Sequence, residues 1–354
     1  MNKNYIYLLC FLLALCLPSH TMAQDPQFSQ YYAAPTYLNP AFTGATPCYR
    51  ITSIGRSQWA GLQNAFNTAA LSADFNHPGL RSGFGIQALH DNAGDARLTN
   101  NEVHGLYSYY IPVNDHLNIR FGLSAGVVFR SIGYNGLLFE DQYTGTALTA
   151  DESMDPTTAH QQQSYFDVSS GVVFFDEDKY WFGIATHHLT RPEQAFYEAQ
   201  ADSRLPIRYG VHGGYNFYFK KGLKKYNQET LLRVTPTFSY KRQARFDQLD
   251  LGVYFIKNRY LFGVWYRGIM AKQDFNIRNN DALVLQAGIQ LDQFSIQYSY
   301  DITTSRLSHL NTFGSHELSV TYTFCLDWPP NTKPSKNVRR IPCPDFQKPQ
   351  INIE

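Results

Sequence analysis

The stretch Leu318-Ser319-Val320-Thr321-Tyr322-Thr323-Phe324 decides the fold. Every second residue is apolar, and each residue between carries a hydroxyl. Side chains of a β-strand alternate between faces, so this run makes one greasy face and one polar face. The segment before it repeats the pattern: Phe294, Ile296, Tyr298, Tyr300 and Ile302 share one face, and Ser295, Gln297, Ser299 and Asp301 the other. Further upstream, Leu283, Leu285, Ala287, Ile289 and Leu291 alternate with Gln286, Gly288 and Gln290. Ile119, Phe121, Leu123, Ala125, Val127 and Phe129 alternate in the same way with Arg120, Gly122, Ser124 and Arg130. A soluble β-sandwich also alternates. Two features point instead to a transmembrane barrel. The polar face is rich in Gly, Ser, Arg and Gln rather than Lys and Glu, and Tyr and Phe gather near strand ends as in the girdles of membrane barrels.

Fourteen such segments are predicted, near residues 50–59, 66–76, 83–91, 101–112, 117–134, 164–175, 179–190, 206–219, 229–241, 246–256, 259–269, 281–291, 293–302 and 316–325. The fold class is therefore all-β: an antiparallel up-and-down outer-membrane barrel, for which an even strand count is the rule. Connections after even-numbered strands are mostly short, for example Asn114-Asp115-His116, Lys257-Asn258 and Asp292; Lys220–Gln228 is longer and basic. Several connections after odd-numbered strands are long: Asn135–Gln163, Thr190–Leu205, Met270–Asn280 and Thr303–Gly314. Short turns face the periplasm and long loops the outside, so both termini are expected in the periplasm. Phe324 closes the last strand with the aromatic expected of a strand end read by the barrel-insertion machinery.

Composition agrees. Aromatic residues make up 15 % of the chain and charged residues 17 %, against about 25 % charge in a usual soluble domain. The net charge of +1 gives no nucleic-acid footprint. Residues 1–23 read as a secretory signal peptide: Lys3, an apolar run from Tyr5 to Leu17, and Thr21-Met22-Ala23 before the cut, leaving Gln24 first. Leu13-Ala14-Leu15-Cys16 is a poor lipoprotein site, because leucine stands before the cysteine where a small residue is wanted. No later stretch approaches the roughly 20 apolar residues of a membrane helix. Cys48, Cys325 and Cys343 survive cleavage. Export to an oxidising compartment makes a Cys325–Cys343 disulfide possible, although an odd count fixes no pairing.

Two segments lie outside the 50–325 barrel. Residues 24–49 are broken by Pro26, Pro35, Pro40 and Pro47, which rules out a long helix. Such a segment could plug the lumen, run along its wall, or form a flexible periplasmic leader. Residues 326–354 form a Pro-rich tail made basic by Lys333, Lys336, Arg339 and Arg340. It is extended rather than globular, and reads either as a disordered end or as a docking strand for a periplasmic partner.

No nucleophile elbow, phosphate loop, C-x-x-C pair or H-E-x-x-H helix occurs, so no catalytic, cofactor or metal site is assigned. His187 and His188 are neighbours on a predicted strand end; they should face opposite sides and read as rim histidines rather than metal ligands. Glu140, Asp141, Asp151, Glu152 and Asp155 lack calcium-loop spacing and read as a solvated loop. A Ser-His hydrolase pair cannot be picked out. Inward-facing Arg120, Arg130, Asp167, Arg208, Arg233, Arg267 and Asp301 are expected to form lumen salt bridges or to line a small polar channel.

Several blocks, in order along the mature chain, resemble the PorP/SprF-type membrane proteins of type IX secretion and gliding motility. The entry blocks are Asp25-Pro26-Gln27-Phe28-Ser29-Gln30-Tyr31 and Leu38-Asn39-Pro40-Ala41-Phe42-Thr43-Gly44. Arg56-Ser57-Gln58-Trp59 and Ser72-Ala73-Asp74 follow, then Phe182 to Leu189 with His188 and Pro192. The last are Ser299-Tyr300-Asp301-Ile302, Gly314-Ser315-His316-Glu317-Leu318-Ser319 and Cys343-Pro344-Asp345-Phe346. Only the acidic 135–163 loop stands apart from the pattern. The resemblance implies a non-enzymatic outer-membrane component that supports export or surface anchoring of cargo bearing a C-terminal secretion domain. It also implies periplasmic machine subunits or peptidoglycan-linked proteins as partners, with the Cys343–Phe346 block as a docking element. A channel for small solutes or lipids is the alternative.

Overall fold

A computed structural model describes residues 25–61, 65–94, 97–114, 117–133, 137, 139–144, 147–148, 153–155, 161–176, 179–196, 203–222, 229–274, 277–291, 293–304 and 312–325. The predicted signal cleavage at Ala23 and Gln24 and the tail block Cys343-Pro344-Asp345-Phe346 lie outside the described residues.

Fourteen antiparallel strands close on themselves. They are β1 (Tyr49–Gln58), β2 (Phe66–His77), β3 (Ser82–Ala93), β4 (Leu98–Pro112), β5 (Asn118–Ser131), β6 (Gln162–Phe175) and β7 (Tyr180–His187). They continue as β8 (Arg208–Tyr215, resumed at Phe217–Gly222), β9 (Glu229–Gln243), β10 (Phe246–Lys257), β11 (Tyr260–Asp274), β12 (Ile277–Leu291), β13 (Phe294–Thr303) and β14 (Ser315–Phe324). Each strand pairs with its sequence neighbours, and β1 pairs with β14 from Tyr49↔Phe324 to Gln58↔Ser315. Full pairing leaves no open edge, the condition for a sheet to stand in hydrocarbon.

Polarity is inverted relative to a soluble protein. Leu71, Ile86, Phe121, Phe166, Phe262 and Leu318 face outward and are about half exposed or more, whereas Arg56, Asp74, Arg267, Asp301 and Glu317 face inward and are buried. At the short-turn rim the outward side chains Phe294, Tyr322, Phe324, Tyr49, Phe75, Phe84 and Tyr107 pack ring to ring across the β1–β14 seam, with successive centroids 4.6 to 5.7 Å apart. This is one arc of an interfacial girdle, and Phe324 sits within it.

Four expectations change. The predicted loop Met270–Asn280 is mostly strand: β11 and β12 run on past the other hairpins, with register shifts at Arg267/Gly268 and Ile269/Gln273. Alternation fades there, so the pattern alone ended the strands early. The predicted strand 206–219 breaks at Asn216, whose N–H turns to the Lys179 carbonyl at 2.6 Å. The disulfide joins Cys48 to Cys325, not Cys325 to Cys343. Register gives the reason: Tyr49 faces Phe324, so the residues just outside that pair are cross-strand neighbours, 4.6 Å apart at Cα. Finally, the two ends of the described chain, Asp25 and Cys325, do not share a rim, although both termini are expected on one side. Cys325 leaves at the short-turn rim, while Asp25 meets His188, Arg208 and Gln243, all at the long-loop rim.

Candidate functional site

Residues 25–48 thread the lumen from one rim to the other, and three sets of contacts hold them. Near the short-turn rim the contact is largely aromatic. The segment first turns back toward the long-loop rim, where a helical turn, Pro35–Leu38, sets the Tyr37 ring under Arg208 at 5.2 Å. It then descends through a 3-10 turn, Pro40–Phe42; both turns start on prolines, whose fixed φ suits the first helical position. Asn39 lies between them and caps the second, accepting from the Ala41 N–H at 2.9 Å. Its amide also donates to the wall carbonyls of Ile184 at 3.1 Å and Val172 at 3.3 Å. The Asn39-Pro40-Ala41 backbone comes this close because Gly122 and Gly171, facing each other on β5 and β6, present no side chain. A Cβ on Gly122 would lie 2.1 Å from the Ala41 nitrogen, and one on Gly171 would lie 2.1 Å from Asn39 Oδ1. Tyr31, Tyr32 and Phe42 pack with wall residues Tyr110, Phe175, Trp181, Tyr254 and Trp265. Gly44, at φ +60°, gives its N–H to Asp74 Oδ2 at 2.7 Å, and Arg50 pairs with the same carboxylate at 2.9 Å.

The middle of the lumen is ionic. Glu317 accepts the backbone N–H groups of Ser29 and Gln30 at 2.8 and 2.7 Å. Arg56 reaches Glu317 at 3.1 Å and Asp301 at 2.9 Å, and Arg267 bridges Asp301 at 3.0 Å and Asp250 at 2.9 Å. The Ser29 hydroxyl donates to Asp301 at 2.6 Å and accepts from both Arg56 and Arg267. Pairing plus hydrogen bonding is what makes so many buried charges tolerable. Arg120 donates to the Thr43 carbonyl at 2.7 Å. The expected salt-bridge reading of the inward arginines therefore holds for Arg208 and Arg267, but most of the inward charge serves the segment that fills the lumen.

The third set is a latch at the long-loop rim. Asp25 lies 2.7 Å from His188 Nε2 and 2.9 Å from Arg208, and His188 Nδ1 lies 3.0 Å from Asp167. Burial favours neutral Asp25, yet the His188 and Arg208 charges hold its carboxyl well below the usual carboxylate range. Burial also opposes charge on His188, but Asp25 and Asp167 overcome it and push the imidazole up to about 10. Both ring nitrogens then donate. Below the latch, Gln27 accepts from Lys241 at 2.6 Å, and Phe28 packs edge-on against Tyr37 at 5.3 Å. Tyr37 donates to the Pro26 carbonyl at 2.6 Å.

The histidine pair corrects a sequence rule. Neighbouring strand residues should face opposite sides, but His188 has φ +60° just past the end of β7. That backbone turn brings it inward beside His187, which lies 3.4 Å from the Leu38 carbonyl. Of the family-like residues, Asp25, Pro26, Gln27, Phe28, Asn39, Pro40, Gly44, Arg56, His188, Asp301 and Glu317 all meet in the segment–wall interface. Two stand apart. His316 faces outward, with Nδ1 2.7 Å from the Tyr298 hydroxyl, and Trp59 sits at the long-loop mouth. Sequence reasoning missed Asp250, Lys241 and the glycine window. Charges of both signs on the polar faces of neighbouring strands were the available signal for the first two.

One further arrangement was not legible. Ser124 Oγ lies 3.3 Å from His104 Nδ1, and His104 Nε2 lies 3.4 Å from Glu102. The order of groups is that of a hydrolytic triad, but the cavity they border is about 30 Å³. That is room for a water molecule, not for an ester.

A family model described as type IX secretion system membrane protein PorP/SprF matches residues 20–322. No curated protein matches the chain. Among solved structures, the toluene transporter TbuX of Ralstonia pickettii is similar at TM-score 0.43 and 11 % identity, over 82 % of this chain and 92 % of that one. CdiB from Acinetobacter baumannii gives TM-score 0.43 and 8 % identity over 78 % of this chain and 60 % of its own. A Pseudomonas aeruginosa FadL homologue gives 0.40 and 12 %, covering 82 % and 94 %.

Proposed function

The chain belongs to the PorP/SprF family of type IX secretion membrane proteins, and from that premise we propose that it is a non-enzymatic accessory and anchor rather than a conduit. In this reading it supports export, surface retention, or both, of cargo proteins bearing a C-terminal secretion domain. The observation that carries the reading is the filled lumen: Ser29, Gln30, Asn39, Ala41, Phe42 and Thr43 have no exposure at all. A barrel whose interior is occupied by its own ion-paired chain works through its rims. Even emptied, fourteen strands enclose too little space for a folded domain.

With the short turns toward the periplasm, the long loops present a surface to cargo outside. The Cys48–Cys325 bond holds the end of the last strand at the seam, and in this reading the basic tail 326–354 continues from there into the periplasm. There it would meet machine subunits or peptidoglycan-linked proteins. A pull-down from crosslinked outer membranes, with a tag in the 135–163 loop, tests this. Recovery of a large surface protein with a C-terminal secretion domain together with periplasmic subunits is the expected result. Recovery of the barrel alone, under conditions where such complexes survive, would return the solute or lipid channel to first place. Removing residues 326–354 should leave insertion intact and abolish the periplasmic partners; normal export and anchoring by that truncation would sink the role given to the tail.

A further inference from the structure

Just inside the long-loop rim, register lines up a row of polar side chains on the inner wall. Thr68 faces Asp91, Asp91 faces Asn100, Asn100 faces Arg130, and Arg130 faces Gln163, across five consecutive strands. Asp91 is engaged by the Thr68 hydroxyl at 2.6 Å. The next three members each keep a buried atom without a hydrogen-bond partner: Asn100 Oδ1, Arg130 Nε and Gln163 Oε1. Buried polar atoms are nearly always paired in native proteins, so three adjacent exceptions mark a place where something else completes the bonding.

Asp91, Asn100 and Arg130 border a cavity of about 350 Å³ whose floor is Asp25, Pro26 and Gln27 of the lumen segment. Arg130 also borders the neighbouring space that Gln163 lines. The cavity's other walls carry Trp59, Phe66 and Tyr165. Trp59 adopts φ +58°, with its N–H held by the Gly314 carbonyl at 2.8 Å and its ring edge-on to Phe66 at 5.4 Å. A bulky residue in the left-handed region is a genuine outlier, and such strain gathers at binding sites.

We propose that this vestibule binds the last one or two sugar units of an oligosaccharide. A pyranose has an apolar C–H face and a rim of hydroxyls that both donate and accept, and the cavity offers both complements. Indole and phenol rings supply flat apolar surface. Within the cavity the row supplies the Asp91 carboxylate and the Asn100 amide oxygen as acceptors and the Arg130 guanidinium as donor. A hydrocarbon would leave Asn100 Oδ1 and Arg130 Nε unpaired. An anion would meet Asp91 and Glu102, and a simple cation would meet Arg130. The volume is at the lower end of the roughly 300–1,000 Å³ usual for small-molecule sites, which suits a saccharide end rather than a long chain. This site goes beyond the anchoring role and stands or falls separately from it.

The test uses the full-length protein in detergent, with Trp328→Phe as background. Trp181 and Trp265 are only 2 % and 1 % exposed, so ligand-dependent fluorescence should report mainly on Trp59. Three probes are titrated: cellotriose, chitotriose, and the delipidated oligosaccharide released by mild acid from outer membranes of the producing cells. The expected result is saturable binding of at least one, confirmed by calorimetry. Trp59→Ala and Asn100→Ala should each weaken it about tenfold while heat-modifiable gel mobility shows a folded barrel. Failure of all three sugars to bind at millimolar concentration overturns the proposal, as does undiminished affinity in both variants. Preferential binding of a Gly-Trp-Gly peptide over every sugar would assign the vestibule to a protein segment instead.

Discussion

Asp25, His188 and Asp167 form an ion-paired chain whose pH window follows from its own charges. The folded imidazole titrates at about 10 against an ordinary 6.5, so its contribution to holding the segment is complete below 6.5 and is lost as pH rises through about 10. Asp25 runs the other way. Depressed from an ordinary 3.8, it contributes above that value and loses its contribution as pH falls further. A nitroxide at Pro26→Cys, on a Cys343→Ser background, should therefore be immobile from about pH 4 to about pH 9, loosen as pH rises through about 10, and loosen on the acid side only well below about pH 4. Unchanged mobility well above pH 10 would mean that Arg208 and Gln243 hold Asp25 without the imidazolium. Glu317 tests the mid-lumen cluster in the same spirit. Glu317→Ala strips two backbone N–H donors of their acceptor and leaves Arg56 with Asp301 alone as its carboxylate partner; losing one member of a buried pair costs about 3–5 kcal/mol. Glu317→Gln keeps one acceptor oxygen, enough for one of the two N–H groups, and should cost less. Denaturant titration of the folded barrel by heat-modifiable mobility measures both, and equal stability of wild type and Glu317→Ala would show that the cluster is not what seats the segment.

Among the elements, the glycine window makes the sharpest claim. The Asn39–Ala41 turn lies where a side chain on Gly122 would have to be, so Gly122→Val should push that turn off the wall without touching strand pairing. Protease cleavage within residues 25–45 would then rise severalfold while the barrel keeps its gel mobility. Protection equal to wild type would mean that the wall moves instead. This element also shows what the sequence could carry. The fourteen strands were legible because lipid outside and polar lumen inside impose a period of two on each. The alternation of Leu318–Phe324 maps directly onto outward Leu318, Tyr322 and Phe324 and buried Ser319. Where lipid no longer enforces the period, as in the extensions of β11 and β12, the boundary was lost. The lumen segment was legible only as one of three options, because its partners are up to 289 residues away and nothing local marks them. Cys48–Cys325 was hidden for the same reason: it depends on which strands close the seam. His188 was misplaced because one positive φ cancels the alternation on which its reading rested.

At the scale of the whole molecule, the question is whether the barrel is shut by its own chain. The lumen segment enters beside the seam disulfide, contacts the wall at both rims and is buried over most of residues 28–46. Excising residues 25–44 while retaining Cys48 should leave strand closure and the Cys48–Cys325 bond intact, since β1 begins at Tyr49. The truncated barrel would expose Arg56, Arg120, Arg267, Asp301 and Glu317 to water, a lining suited to ions. Planar-bilayer recordings should therefore find the intact protein silent and the truncation conducting. Conductance by the intact protein, unchanged by the excision, would refute the plug and revive the solute-channel reading. Export gives the complementary readout. If the barrel serves as an anchor, opening its lumen leaves cargo recovery at the cell surface largely unchanged while making the cell permeable to small hydrophilic solutes. If cargo display fails in step with lumen opening, the filled interior is itself part of how the rim facing the cargo is shaped.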